Sequence, residues 1–297
     1  MELRPAQDTD AEAAAAILRE VDDARVLSAA AWLHMAHTSP PQTRLRQLVT
    51  VDGDEIVGTG SAGLNTWTST SGAGWCNIAV TAESRGRGVG GMLLEALLQH
   101  LGEVGATKAT SFMRFSDEGE RWAAARGWTR VLSGPLIAVD PRTVAEPSIP
   151  AGIRVAAMGE ARPEVVYDAV VEAARDEPRP DPTDNLPWDD FLRGWNQPDV
   201  DHEASTVAFA DDRVVAFTEI RAAGDRAQHG FTGTRRDYRG QGLATLVKSV
   251  ALRAAAARGV TRVTTSNAEE NTAMRAINHK LGFTPIGEHV IVGRDLV

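Results

Sequence analysis

The most regular pattern of apolar positions lies in the C-terminal half of the chain. Apolar residues recur there at helical spacing, at Leu243, Leu246, Val247, Val250, Ala251 and Ala254, which predicts an amphipathic helix. A short strand is predicted before it, from Gln228 to Thr234, and the turn Arg239-Gly240-Gln241-Gly242 precedes the helix. A strand that enters a glycine turn and opens a helix leaves several backbone N–H groups unpaired. We therefore predict an anion site at this turn, suited to a pyrophosphate.

The same pattern occurs once earlier in the chain. The predicted strand Trp75 to Val80 is followed by the glycine turn Arg85 to Gly91 and then by a leucine-rich helix. Arg85 and Arg239 are 154 residues apart, which is roughly one domain length. The chain is therefore interpreted as a tandem repeat.

The order of predicted elements is similar in the two halves. Each half begins with a strand and a helix, continues through a β-hairpin, and then reaches the strand, glycine turn and helix. Residues 140–152 contain three prolines and little apolar periodicity, as is typical of a linker. We predict an N-terminal domain at 1–140, a linker at 141–151 and a C-terminal domain at 152–297. The fold class is α/β, with a mixed, partly parallel sheet flanked by helices in each domain.

Composition and charge narrow the functional classes. The formal net charge of −9 argues against a nucleic-acid-binding surface and favours cationic partners. No apolar run is long enough to span a bilayer, and the first ten residues lack the features of a signal peptide. The single cysteine, Cys76, suits a reducing cytoplasm. We expect a cytoplasmic monomer or homodimer without membrane, nucleic-acid or metal binding.

Two motifs in the second half resemble those of the GNAT acyl-CoA N-acetyltransferases. The spacing Arg239-x-x-Gly242-x-Ala244 resembles the R/Q-x-x-G-x-G/A signature of that family, and Arg85-x-x-Gly88-x-Gly90 is an earlier copy of it. After the second turn, the stretch from Asn267 to Gly282-Phe283 resembles the family's closing helix and the start of its next strand, with the Gly-Phe pair about 40 residues beyond the turn. The resemblance therefore implies two tandem GNAT-like domains.

A dinucleotide-binding domain is the alternative interpretation, because Gly86 to Gly91 also satisfies G-x-G-x-x-G. Five residues separate the strand from Gly86, whereas the dinucleotide turn follows its strand directly. The second copy has Thr245 where the third glycine would stand. Both features favour the acyltransferase.

The resemblance implies acetyl-CoA as cosubstrate and assigns residues to it in both domains. In the second domain these are Thr232, Gly233, Thr234, Arg239, Gly240, Gln241, Gly242, Leu243, Ala244, Thr245, Asn267 and Asn271. In the first domain they are Ile78, Val80, Arg85, Gly86, Arg87, Gly88, Val89, Gly90 and Gly91. A backbone N–H near Gly233 or Thr234 would bind the acetyl carbonyl, and Asn271 would contact the pantetheine arm.

Direct transfer of an acetyl group to an ammonium-bearing acceptor needs a base to remove a proton, and donors for the oxyanion. Glu219 and His229 are the two candidates for the base, and both stay open. The family often has a tyrosine acid four residues before the glycine of its Gly-Phe pair. Here that position is Asn278 in the second domain and Ala123 in the first, and neither is a phenolic acid.

The first domain keeps a good glycine turn but lacks the Asn267–Asn271 pair and an obvious base. We expect it to bind the cosubstrate without turnover or to serve as a scaffold, and we place catalysis in the second domain. A catalytically inactive acyl-CoA-binding regulatory or scaffold protein is the alternative function.

The acceptor segment is predicted at residues 176–201, a long irregular stretch rich in Asp, Pro and Trp. The candidate acceptor-binding residues are Asp184, Trp188, Asp189 and Asp190, and they favour a small cationic amine. A solvated acidic loop is the alternative.

Overall fold

The computed structural model describes residues 1–296, and these divide into two compact units. The first unit consists of residues 1–133, 179–185 and 289–296, and the second of residues 134–178 and 186–288. Each unit is a mixed sheet with helices, as the tandem repeat predicts.

The first unit is built on the N-terminal half of the chain. Its strands are Glu2–Pro5 (β1), Arg46–Asp52 (β2), Glu55–Leu64 (β3), Ala73–Val80 (β4) and Lys108–Arg114 (β5). Its helices are Ala11–Val21 (α1), Ala29–Thr38 (α2), Val89–Glu103 (α3) and Asp117–Ala124 (α4). The buried leucines of α3 at positions 93, 94, 97 and 101 pack in the core of this unit, as the helical spacing predicts.

The second unit repeats this plan. The strand that spans the border of the two units is Thr129–Val139 (β6), and the strands that follow are Ile153–Ala157 (β7), Thr206–Ala210 (β8), Arg213–Ala223 (β9), Arg226–Thr234 (β10), Arg262–Ser266 (β11) and Thr284–Asp295 (β12). The helices are Pro163–Ala174 (α5), Trp188–Trp195 (α6), Leu243–Ala257 (α7) and Thr272–Lys280 (α8).

Each unit completes its sheet with a strand from the other half of the chain. In the first unit, β5 pairs antiparallel with residues 289–295 of β12. In the second, β11 pairs antiparallel with residues 136–139 of β6. The chain therefore passes from one compact unit to the other within β6, at Ser133/Gly134, and within β12, at Glu288/His289. The domain boundaries at 140 and 152, which were inferred from the sequence repeat, remain a prediction.

The parallel strand pair of each unit separates early. β10 pairs with β11 only from Arg226 to Gln228, and β4 pairs with β5 only from Ala73 to Trp75. Both β10 and β4 then run on to the glycine turn without a partner on that side. Such a gap leaves backbone N–H and C=O groups available to a ligand.

The second helix begins at Ala29, because the Ser28 side chain caps it by accepting from the Ala31 N–H. The stretch 176–201, predicted as irregular, contains the eight-residue helix α6. No helix within residues 1–296 is long and apolar enough to cross a membrane.

Candidate functional site

The second glycine turn presents uncapped backbone donors. Gly240 and Gly242 both have a φ of +78°, a left-handed conformation that favours glycine. Gly242 is the N-cap of α7, and no side chain caps the helix there. The first N–H groups of α7 and its dipole therefore favour an anion at this position.

Arg239 and Asp176 hold the turn in place. The Arg239 Nε donates to the Thr234 carbonyl over 3.1 Å, and its Nη2 lies 2.6 Å from Asp176 Oδ2. The Arg236 guanidinium reaches the same carboxylate. Together the two arginines lower the pKa of Asp176 to about 2. The arginine of the signature thus folds the turn back onto the end of β10.

The first glycine turn has the same geometry. Gly86 and Gly88 have φ values of +73° and +88°, and Gly88 is the uncapped N-cap of α3. Arg85 Nε donates to the Val80 carbonyl over 3.4 Å, as Arg239 does to Thr234. Arg87 pairs with Asp52 at 2.7 Å.

A β-bulge distinguishes β10 from β4. The pairing of β10 with β9 shifts between His229 and Thr232, so that two residues of β10, Gly230 and Phe231, stand opposite Glu219. A bulge bends its strand and re-aims the backbone. A Cβ at Gly230 would overlap the Glu219 carboxylate, so the glycine lets this carboxylate lie over the bulge. The pairing of β4 with β3 shows no such shift.

The two candidate bases lie on opposite faces of the second sheet. Side chains alternate along β9, so Phe217, Glu219 and Arg221 share a face. Phe217 on that face packs with α5 and with the bulge residue Phe231. Glu219 is half-buried there, 2.7 Å from Arg221 Nε. His229 instead shares its face with Ala227, which packs in the α7 core.

His229 is enclosed on the α7 face. Its side chain is 3 % exposed, and its Nδ1 lies 3.2 Å from the Thr218 hydroxyl. Its Nε2 makes no hydrogen bond to any residue in 1–296. Burial, followed by the nearby Lys248 charge, holds the pKa of His229 well below its usual range. The ring is therefore neutral at neutral pH and closed to solvent.

The strand residues assigned to the cosubstrate follow the bulge directly. Thr232, Gly233 and Thr234 pair with β9 on one side and have no β11 partner on the other. The Thr232 hydroxyl lies 2.6 Å from that of Thr218. A Cβ at Gly233 would collide with Ala173 and Phe217, so glycine allows α5 to pack closely against this strand.

The predicted acceptor residues are not brought together. Asp184 belongs to the first unit, where its carboxylate accepts from the Ser69 N–H at 2.7 Å and from the Ser69 hydroxyl at 2.6 Å. Trp188, Asp189 and Asp190 lie in the first turn of α6 in the second unit. Asp190 is buried with Arg193 at 3.7 Å, while Asp189 is exposed.

Aromatic side chains form a continuous cluster beside α6. The Tyr167 ring lies 5.2 Å from both Trp188 and Phe191, and Phe191 lies 5.7 Å from Trp195. The bulge residue Phe231 packs against the same hydrophobic core as Phe191 and Trp195. The face that carries Glu219 is therefore also the aromatic face of the second unit.

Residues 16–119 and 167–283 match the Acetyltransferase (GNAT) family. The chain belongs to the GNAT acetyltransferase family. The resemblance inferred from the two glycine turns is thereby confirmed. A comparison with curated proteins finds no match to the chain.

Solved GNAT structures share the fold over the whole chain. A tandem GNAT protein from the clavulanic acid biosynthesis pathway superposes with a TM-score of 0.77 at 21 % identity, over 100 % of this chain and 98 % of that one. A GCN5-related N-acetyltransferase from Sphaerobacter thermophilus gives 0.72 at 19 %, over 99 % and 95 %. A GNAT-family acetyltransferase from Colwellia psychrerythraea gives 0.59 at 14 %, over 99 % of both. The tandem GNAT fold is therefore confirmed.

The asparagines of the second GNAT unit have defined structural partners. Asn278, at the position of the family tyrosine, is fully buried and donates from Nδ2 to Asn267 Oδ1 over 2.6 Å. Asn271 is the N-cap of α8 and accepts from the Met274 N–H. Ser116 caps α4 in the same way in the first unit. Both helices are therefore capped, but only the second has the asparagine pair.

The gap between the parallel strands is bridged in the first unit. Asn77 on β4 accepts at its Oδ1 from the Phe112 N–H over 3.0 Å and from the Ser111 hydroxyl over 3.3 Å. Its side chain thus spans from β4 to β5. The residue 154 positions later is Phe231, which lies in the bulge of β10 instead. The two units therefore share a turn but differ in the gap beside it.

Lys248 is a buried charge that the sequence analysis did not assign to the site. It is 1 % exposed, and its Nζ lies 5.6 Å from the Phe283 ring centre. Burial lowers its pKa from 10.5 to about 7. Its helical spacing could have revealed it, because Lys248 stands on the same stripe of α7 as Ala251, Leu252 and Ala255. Among residues 1–296, no group of three or more potential metal ligands occurs.

We predict that Lys248→Met stabilises the protein more at pH 7 than at pH 9. The unfolded chain binds more protons than the folded one between pH about 7 and 10.5, so the wild-type protein gains stability as pH rises through that window. The advantage of the variant should shrink by roughly 1–3 kcal/mol over these two pH units. Urea unfolding at both pH values measures it, with the exposed Lys280→Met as control. If the free energy of unfolding differs between variant and wild-type protein by the same amount at both pH values, the prediction is wrong.

Acetyl-CoA binding at the second turn is predicted to be lost in Gly242→Asp. The new carboxylate would lie among the donors at the start of α7 and repel a pyrophosphate, which should weaken binding roughly tenfold or more. Gly242→Asn is the matched control, since Asn tolerates the same positive φ without the charge. The pair Gly88→Asp and Gly88→Asn tests the first turn. Calorimetry that shows unchanged affinity and stoichiometry in Gly242→Asp would refute the assignment.

Proposed function

We propose that the protein is an N-acetyltransferase that moves the acetyl group of acetyl-CoA to a primary amine of a small, cationic molecule. Transfer is direct, within a ternary complex, and takes place in the second unit. The protein acts in the cytoplasm as a monomer or homodimer, without a metal. Family membership supports acyl transfer, and the remaining steps rest on the geometry of the second unit.

The single observation that carries this proposal is the Glu219 carboxylate over the β10 bulge. Gly230 leaves room for it, and it lies on the aromatic face of the sheet. The gap between β10 and β11 begins at the same level, after Gln228. A proton acceptor and a stretch of β10 without β11 pairing are thus adjacent, which suits amine acylation.

The residues of the second unit fit acetyl-CoA at several points. The uncapped N-terminus of α7 would hold the pyrophosphate of acetyl-CoA, and the part of β10 that does not pair with β11 would bind its pantetheine arm. Acetyl-CoA supplies an acetyl thioester whose thiol leaves as a thiolate, with a pKa of roughly 8.5 if it resembles a cysteine. That value makes a phenolic acid at position 278 dispensable.

Glu219 serves as the general base in this scheme. It takes a proton from the acceptor ammonium, directly or through water, and frees the nitrogen lone pair for attack on the carbonyl carbon. Backbone N–H groups after the bulge, near Gly233 or Thr234, donate to the developing oxyanion. His229 is the weaker candidate, because its side chain is buried on the opposite face.

The acceptor is expected to be a cationic amine with an apolar body. Tyr167, Trp188, Phe191 and Trp195 form an aromatic wall on the face of Glu219, and aromatic faces attract ammonium groups. Asp189 at the start of α6 adds an exposed negative charge. The Asp184 carboxylate is engaged by Ser69 in the first unit, so its contribution to acceptor binding stays a prediction.

We predict that Glu219→Gln lowers kcat/KM by roughly 10²–10⁴ and removes the acidic limb of its pH profile. Gln keeps the size and hydrogen bonding of Glu but cannot accept a proton. Steady-state kinetics with acetyl-CoA and an amine panel measure the effect. Glu95→Gln, at an exposed position of α3, is the matched control and should leave the profile unchanged.

His229→Gln completes this test. If Glu219→Gln keeps near-normal activity and the acidic limb while His229→Gln loses both, the base is His229. If the wild-type protein binds acetyl-CoA but acetylates no amine and shows no thioester turnover, it is an inactive acyl-CoA-binding regulator or scaffold instead.

Replacement of Trp188 by Leu is predicted to raise the KM for a cationic acceptor. The loss of a cation–π contact corresponds to roughly 3- to 30-fold in affinity. The affinity for acetyl-CoA, measured by calorimetry, should stay unchanged, since Trp188 is on α6 rather than at the glycine turn. An unchanged acceptor KM, or a best acceptor that is neutral or anionic, would contradict the cationic assignment.

A further inference from the structure

A chain of hydrogen bonds joins β9 and β10 on the α7 face of the second unit. The Thr218 hydroxyl lies 3.2 Å from His229 Nδ1 and 2.6 Å from the Thr232 hydroxyl. Thr218 is fully buried and His229 nearly so, whereas Thr232 is half-buried. The chain therefore begins at an enclosed imidazole and ends at the most accessible of the three side chains.

The β10 bulge brings Thr232 into this chain. His229 pairs with Ile220 and Thr232 pairs with Thr218, and the register shifts between the two pairs. In a regular strand, residues three apart point to opposite faces, but the extra residue of a bulge returns them to the same face. Thr232 is therefore on the face of His229, and it belongs to the stretch of β10 that has no β11 partner.

The hydrogen bonds of this chain run in one direction. His229 Nε2 makes no hydrogen bond to any residue in 1–296, and a buried N–H without an acceptor is rarer in proteins than an unfilled acceptor. The proton of the neutral ring is therefore on Nδ1, which donates to the Thr218 hydroxyl. Thr218 then donates to Thr232, so the Thr232 O–H is left to donate to a ligand.

The first unit has no such chain at the corresponding positions. The residues 154 positions before Thr232 and His229 are Ile78 and Trp75, and Ile78 pairs with Gly60. None of these three residues has a hydroxyl. The hydroxyl pair therefore belongs to the unit in which we place acetyl transfer.

Thr232 and the candidate base lie on opposite faces of the sheet. Glu219 lies over Gly230 on the α5 face, whereas Thr232 is on the α7 face. Acyl transfer needs a proton acceptor where the amine enters and a hydrogen-bond donor where the thiolate leaves. Two other polar side chains of this unit are less suitable donors. The Asn278 amide already donates to Asn267, and the Thr234 hydroxyl has no partner within 1–296 that fixes its direction.

We propose that Thr232 is a further catalytic residue, whose hydroxyl donates a hydrogen bond to the sulfur of CoA as the thiolate leaves. Thr218 and His229 are positioning residues for that hydroxyl. This inference rests on the proposed function, in which the C–N bond forms and the C–S bond breaks while the electron pair stays on sulfur. Glu219 holds one proton of the acceptor ammonium, and the second passes to water. Thr232 keeps its own proton, and the thiolate takes a proton from water after release.

Free CoA is the probe, because a hydrogen bond to the thiolate lowers the pKa of the bound thiol. Calorimetry on the full-length protein should show that CoA binding, relative to acetyl-CoA binding, tightens roughly three- to tenfold between pH 7 and pH 9, around a thiol pKa of roughly 8.5. Lys248 and His229 are buried on this face, Glu219 and Arg221 lie on the other, and the charged side chains of α8 are exposed. Acetyl-CoA lacks the thiol but meets the same groups, so the ratio cancels their titration.

Thr232→Val should abolish this pH effect and lower kcat roughly tenfold, with the KM for acetyl-CoA unchanged, because it removes only the hydroxyl. Thr232→Ser keeps a hydroxyl and should retain the pH effect of the wild-type protein. Thr218→Val should reduce both the pH effect and kcat, because the Thr232 hydroxyl is then no longer held. The exposed Thr284→Val in β12 is the matched control and should change neither.

The proposal is wrong if CoA and acetyl-CoA show the same pH dependence in the wild-type protein, or if Thr232→Val keeps the difference. It is equally wrong if Thr234→Val removes the difference and Thr232→Val does not. If the pH effect depends on Thr232 but no amine is acetylated, the thiolate contact is supported and the proposed function fails. Urea unfolding checks that each variant is folded. If Thr232→Val is not, a Thr218→Val protein with the full wild-type pH effect overturns the proposal.

Discussion

Where β10 leaves β11 after Gln228, the remaining residues of β10 lose their hydrogen-bonding partners on that side. Unpaired backbone groups in a protein interior are costly unless something satisfies them. Here they lead from the bulge at Gly230 to the uncapped start of α7. The strand separation thus connects the candidate base Glu219, the unpaired backbone groups and the uncapped start of α7.

The local parts of this site could be predicted from sequence. Gly240 and Gly242 were predicted as a turn that opens a helix, and both have the positive φ that such a turn needs. The spacing of apolar residues predicted α3 and α7. These features depend on residues that are close in sequence, so they can be predicted from a single sequence. The repeat of 154 residues then predicted both units of the GNAT fold.

The non-local parts could not be predicted in the same way. The bulge depends on how β10 aligns with β9, and a shift of one residue decides which face a side chain takes. The register that pairs His229 with Ile220 puts Glu219 and His229 on opposite faces of the sheet, whereas the sequence left both open as the base. Asp184 and Trp188 are four residues apart, yet the fold assigns them to different units. The side-chain charges alone gave no sign of that division.

A tandem repeat predicts two similar sites, but each unit takes one strand from the other half of the chain. His289 and Asp22 are 267 positions apart in sequence and meet in the first unit for that reason. The residues that line a unit are therefore not those of one repeat. The two glycine turns have the same geometry, whereas the pairing of β10 with β9 contains a bulge that the pairing of β4 with β3 lacks, and Asn77 bridges β4 and β5. The two units therefore present similar backbone donors at the turn and differ in the strand beside it, so the turn by itself does not define a catalytic site.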